Sequence, residues 1–78
     1  MARYFFHLRE PGTYVRDEEG AELPDLEAAH AHALENVRDI ISMEVRGGVI
    51  PLSHVMEIAD AAGNVVRTIS YVEAVRLA

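Results

Sequence analysis

The stretch from Asp25 to Gly48, DLEAAHAHALENVRDIISMEVRGG, constrains the fold more than any other part of this 78-residue chain, because it sets an apolar stripe at helical spacing between a start and a stop signal. Asp25 follows Pro24 and is placed to act as N-cap, its carboxylate accepting from the free N–H groups of the first turn, and Glu27 adds negative charge where the helix dipole favours it. Arg46, Gly47 and Gly48 close the other end, a cation beside the last carbonyls followed by residues that turn left-handed without penalty. Between the caps Leu26, Ala29, Ala33, Val37, Ile40 and Ile41, flanked by Leu34 and Val45, recur at spacings of three and four, while Glu27, Glu35, Arg38, Asp39 and Ser42 fall opposite. Such a stripe needs a sheet or other helices to cover it, so the remaining residues must supply that surface.

They read as strands. Arg3-Tyr4-Phe5-Phe6-His7-Leu8-Arg9 alternates Tyr4, Phe6 and Leu8 against Phe5, His7 and Arg9, and Glu10-Pro11-Gly12 turns the chain back through Thr13-Tyr14-Val15-Arg16. Asp17-Glu18-Glu19-Gly20 reads as a solvated polar turn; it lacks the alternate ligand positions and the later Glu of a calcium loop. After the helix, Val49-Ile50-Pro51-Leu52 is an apolar connection whose proline excludes a central strand. His54 to Ala59 is the third strand, with Met56 and Ile58 on one face and Val55 and Glu57 on the other. Asp60-Ala61-Ala62-Gly63 is a hairpin turn, and Asn64 to Ile69 is the fourth strand, whose inward face stays open between Val65 and Ile69 on one side and Val66 and Thr68 on the other. Ser70 and Glu73 fit a capping box for a short last helix running through Leu77.

The expected fold is therefore one α+β domain over residues 1–78 with element order ββαββα: a four-stranded antiparallel sheet packed on one long helix, with a short C-terminal helix. Tyr4, Phe6, Leu8, Leu26, Ala33, Val37, Ile40, Ile41 and Ile58 form the expected core.

These residues also carry a resemblance. Arg3-Tyr4-Phe5-Phe6-His7, the Asp17-Glu18-Glu19-Gly20 turn, Leu23-Pro24-Asp25-Leu26-Glu27-Ala28-Ala29 and the Asp60-Ala61-Ala62-Gly63 hairpin together resemble, nearly end to end, a family of short bacterial proteins described only as a domain of unknown function (6894). That resemblance implies no activity and no catalytic residue. The acidic turn with Gly, then Leu26-Glu27-Ala28-Ala29 and Ala33-Leu34-Glu35-Asn36, is also similar to the HicB antitoxin core, a family that pairs with a small ribonuclease toxin.

Charge and composition narrow the function classes. Residues 17–37 hold seven acids and no Lys or Arg, so they carry nearly all of the excess behind a net charge of −6. Such a surface repels phosphate backbones, and no basic stripe for nucleic acid exists. No apolar run approaches a membrane span or a signal peptide, and with no cysteine there is no disulfide framework, so the expectation is a cytoplasmic protein away from membranes. No nucleophile motif, phosphate-binding Gly loop or HExxH pattern is present, and no cofactor or bound metal is expected. His30 and His32 stand about 200° apart around a helix and cannot chelate one ion together.

Two functional expectations follow. A chain this short buries only about 60% of its unfolded surface, which favours association, so the first is a non-catalytic interaction module that forms a homodimer or binds a protein partner. Its expected contact surface is the sheet face away from the helix, with Phe5, His7, Arg9, Val55 and Arg67, since aromatic and Arg residues anchor interfaces. The alternative is a small metal-binding protein or enzyme using His7, His30 or His54. A short C-terminal helix folded over the same face would bury Phe5 and remove the contact surface.

Overall fold

The computed structural model describes residues 1–75 and shows an antiparallel sheet covered on one face by a long helix. The strands are β1 (Ala2–Glu10), β2 (Thr13–Val15), β3 (Ala21–Leu23), β4 (Val55–Ala59) and β5 (Val65–Ser70); the helix, α1 (Leu26–Arg46), precedes β4, and a 3-10 turn at Tyr71–Ala74 follows β5. The sheet order is β2-β1-β4-β5, with β3 also paired to β1. The four expected strands are all present, and the additional one is β3, whose three residues pair antiparallel with Ala2–Tyr4. Its brevity hides it from periodicity, because a three-residue segment gives no alternation to count.

The expected caps of α1 are in place. Asp25 is extended at φ −161° and its Oδ1 accepts from the Ala28 N–H at 2.9 Å. At the other end Gly48 adopts φ +88° and Val49 N–H donates to the Glu44 carbonyl at 2.9 Å, so the last turn closes on a left-handed glycine.

Ala29, Ala33, Val37 and Ile41 form the buried stripe of α1 and pack with Met56, Ile58 and Ile69 of the sheet and with Tyr71 and Ala74 of the C-terminal turn. The expected core is corrected in one respect: Tyr4, Phe6, Leu8, Leu26 and Ile40 are only partly buried and pack around this cluster. The reason is width. Four strands at about 4.8 Å spacing are broader than one helix of about 10 Å diameter, so α1 cannot cover the whole sheet. It lies over β4, meeting β5 on one side and the short β3 on the other, and toward β1 and β2 it leaves a groove of about 560 Å³ floored by Phe6, Leu8 and Met56, with Ile40 on the helix wall.

The register decides the face that the fourth strand had left open. Met56 pairs with Ile69 and Ile58 with Arg67, which sets Ile69 and Arg67 on the helix side, and a register shift between Ile58 and Ala59 brings Val65 opposite Ala59. Ser70 N–H donates to Glu73 Oε1 at 2.8 Å, the backbone half of the expected capping box, but the segment it opens is a single 3-10 turn. The part of the expected helix between Arg76 and Leu77 lies outside the described residues. No helix among the described residues is long and apolar enough to cross a membrane.

Candidate functional site

The sheet face opposite α1 carries Phe5, His7 and Arg9 of β1 beside Ala59, Glu57 and Val55 of β4, in that register. Tyr14, paired with Arg9, extends the row onto β2, and Thr68, paired with Glu57, extends it onto β5. The C-terminal turn does not fold over this face. It packs on α1, where Tyr71 and Ala74 join the core and Arg38 Nε donates to the Ala74 carbonyl at 3.0 Å. Four of the five expected contact residues, Phe5, His7, Arg9 and Val55, therefore share the open face. Arg67 does not. It stands on the helix side, 3.7 Å from Glu27, because the bulge next to Ala59 shifts the alternation of β5 by one position.

The centre of the open face is polar and internally matched. Glu57 is buried, yet its carboxylate accepts from the Tyr14 O–H at 2.8 Å and from the Arg9 guanidinium. A buried carboxylate without such partners would carry a heavy desolvation cost, so this trio explains how a charge sits mid-sheet. The bond to Glu57 raises the Tyr14 pKa above its usual value, with burial adding in the same direction, since an anionic phenolate facing a carboxylate is disfavoured.

His7 is buried beside this trio, its ring stacked on Phe5 at 6.4 Å and tilted against Tyr14 at 5.7 Å. Its Nδ1 accepts from the backbone N–H of Asp17 at 3.0 Å. The accepting nitrogen of a neutral imidazole carries no proton, so the ring proton belongs on Nε2. A histidine in this tautomer cannot present Nε2 to a metal without reversing the bond it makes to Asp17.

Asp17 corrects the reading of its segment as a solvated turn. One carboxylate oxygen accepts from the Phe6 N–H of β1 at 3.1 Å, and the other accepts from Glu19 and Gly20 N–H, both at 3.2 Å. Burial works against ionisation here, but the donors at Phe6, Gly20 and Glu19 outweigh it and hold the carboxyl below the usual carboxylate range. Gly20 takes φ +70°, and a Cβ there would stand 2.7 Å from the Tyr4 carbonyl and 2.9 Å from the Phe5 ring. Residues 16–20 thus form a strap pinned to β1 between β2 and β3. The signal for it lay in the sequence as an Asp followed two and three residues later by amides it can bond, the second of them on Gly20, a pattern of Asx turns.

The other histidines lie apart from His7. His30 is on α1, on the far side of the sheet, and lines a small cavity with Arg38 and Thr68. His32 packs on Phe6 at 4.9 Å, and His54 meets the Tyr71 ring at 5.3 Å. His7, His30 and His54 are thus not brought together, and among the described residues no group of three His, Asp or Glu side chains is placed to hold a metal ion. Tyr71, buried in the core, has its pKa raised to about 12, chiefly by burial.

Geometry defines a class: an antiparallel sheet with one helical layer, one open face, and a strap tied across the edge of its longest strand. Within that class the chain belongs to the family described as Domain of unknown function (DUF6894), whose family model matches residues 3–73. The match carries the first resemblance seen in the sequence and not the likeness to the HicB antitoxin core. No curated protein and no solved structure matches the chain.

Proposed function

We propose that this chain is a non-catalytic protein-interaction module of the cytoplasm that self-associates or binds a protein partner through the open face of its sheet. The observation that supports this reading is the placement of both helical elements on one side, which leaves Phe5, His7, Arg9, Tyr14 and Val55 on the other without a covering layer among the described residues. Aromatic and Arg side chains around a patch whose only buried charge is already neutralised suit the centre of an interface, because docking there strands no charge.

The test uses Val55→Glu and Phe5→Glu, followed by light scattering, with circular dichroism as the control for folding. Val55 is the cleaner site, since the Phe5 ring also packs on the strap at Gly20. Self-association requires a wild-type mass above the 8.6 kDa of the chain and a fall to that mass in folded Val55→Glu. For a separate partner, a protein captured by the wild type must be lost by the variant. A monomeric wild type whose captured proteins are all retained by both variants refutes the proposal.

A further inference from the structure

The strap is a surplus of chain held by a few bonds. The five β1 positions from Tyr4 to Leu8 face the seven residues from Val15 to Ala21, so two residues more than a regular ladder needs must leave the edge. What keeps them against β1 is Asp17, whose carboxylate takes the Phe6, Glu19 and Gly20 N–H groups and whose own N–H donates to His7 Nδ1. The last of these bonds differs from the rest, because its acceptor is an imidazole nitrogen, the kind of side-chain acceptor that protonation turns into a donor. A protonated imidazole bears N–H on both nitrogens and accepts nothing.

We propose that His7 is a proton-operated latch for the strap: protonation at Nδ1 sets a donor against the Asp17 N–H and releases residues 16–20 from the edge of β1.

The groups around the ring bear this out. From the strap, Arg16, Asp17 and Glu18 line a cavity of about 400 Å³ with His7 and Phe5, and Asp60, from the turn after β4, lines it too. From β2 comes Tyr14, from β4 the cross-strand partner Glu57, and from β1 itself Arg9. The nearby acceptors are already engaged: Glu57 by Tyr14 and Arg9, Asp60 Oδ1 by Ala62 and Asn64 N–H, and Asp17 by its three amides. Glu18 is exposed to solvent. The Asp17 carboxylate attracts the imidazolium, but Nδ1 faces the Asp17 N–H, so a bond from the new N–H to that carboxylate requires the ring or the strap to move from its present position.

The strap is also a wall. Arg16 and Asp17 line both the groove on the helix side and the cavity on the open face, so its release opens both and bares the β1 edge between β2 and β3. A short β2 and a short β3 separated by a movable segment protect that edge only while the latch is closed.

Amide exchange read residue by residue on the full chain tests this. Between about pH 8 and about pH 5, where histidine titrates, protection at Phe6, Asp17, Glu19 and Gly20, corrected for intrinsic exchange, should fall about tenfold or more. His7→Gln keeps an oxygen able to accept from the Asp17 N–H but gains no proton, so its protection should stay flat over the same range. The Asp17 carboxyl, held below the usual carboxylate range, titrates in a lower window and does not mimic the effect. Flat protection in the wild type overturns the proposal, as does an equal fall in His7→Gln. Should His7→Gln not fold, the wild type alone decides: the Nδ1 chemical shift of His7 and the Asp17 amide shift must titrate with one midpoint, and separate midpoints overturn the latch.

Discussion

Replacing Asp17 by Asn isolates the charge that pins the strap. The variant keeps the shape and one acceptor oxygen, but its amide group must face either the Phe6 N–H at 3.1 Å or the Glu19 and Gly20 pair at 3.2 Å, setting donor against donor. At least one bond to an ionised acceptor is lost and the survivors lose their charge assistance. Bonds of that kind contribute about 1.5–3 kcal/mol each, and the half-buried position lets water replace part of the loss, so the expected cost is about 2 kcal/mol at neutral pH. Urea denaturation followed by circular dichroism measures it. The pH dependence has a definite sign: because the folded-state pKa is lowered, the stabilisation is fully present above the ordinary carboxylate pKa and disappears as pH falls through the lowered value. Wild type and Asp17→Asn should therefore converge in acid. A difference below about 0.5 kcal/mol at neutral pH, within the range of ordinary surface substitutions, refutes the reasoning, and so does a difference that persists undiminished in acid.

Three further outcomes are expected. Ile58→Ala, at a site with no solvent exposure, should cost about 2–5 kcal/mol, whereas Ile40→Ala, on the rim of the groove, should cost less than half as much in the same denaturation assay. Gly20→Ala should be more destabilising than Gly12→Ala, because both have positive φ but only at Gly20 does the new Cβ meet backbone and ring atoms, and a melting curve for each variant compares them. Zinc or nickel added at neutral pH should leave the melting temperature unchanged, and a rise that His7→Ala abolishes would favour the metal-binding alternative.

Local chemistry made much of this fold legible. The caps at Asp25 and Gly48, the turn at Gly12 and the hairpin at Asp60, whose Oδ1 takes the Ala62 and Asn64 N–H groups, depend on residues within a few positions of one another. The alternation of β1 likewise put Phe5, His7 and Arg9 on one face before any partner strand was known. Asp17 reads as part of a surface turn because two of its three amide donors are local, whereas the third, Phe6, is eleven residues away, and only that bond turns a surface turn into a strap. Ile40 belonged to the helical stripe by spacing, yet a stripe does not state how wide its covering surface is.

By itself the sequence determined the α+β class, the extent of α1, the hairpin turns and the alternating faces of β1, all of which follow from backbone preferences and periodicities that act over one or two turns of chain. Tertiary structure alone decided β3, the side on which Arg67 stands, the docking of Tyr71 and Ala74 against α1, and the bond between His7 and Asp17. Each depends on one segment meeting another: β3 and Asp17 meet β1 at its open edge, the bulge between β4 and β5 sets Arg67, and the last turn meets α1, all by pairing and packing that no local window contains.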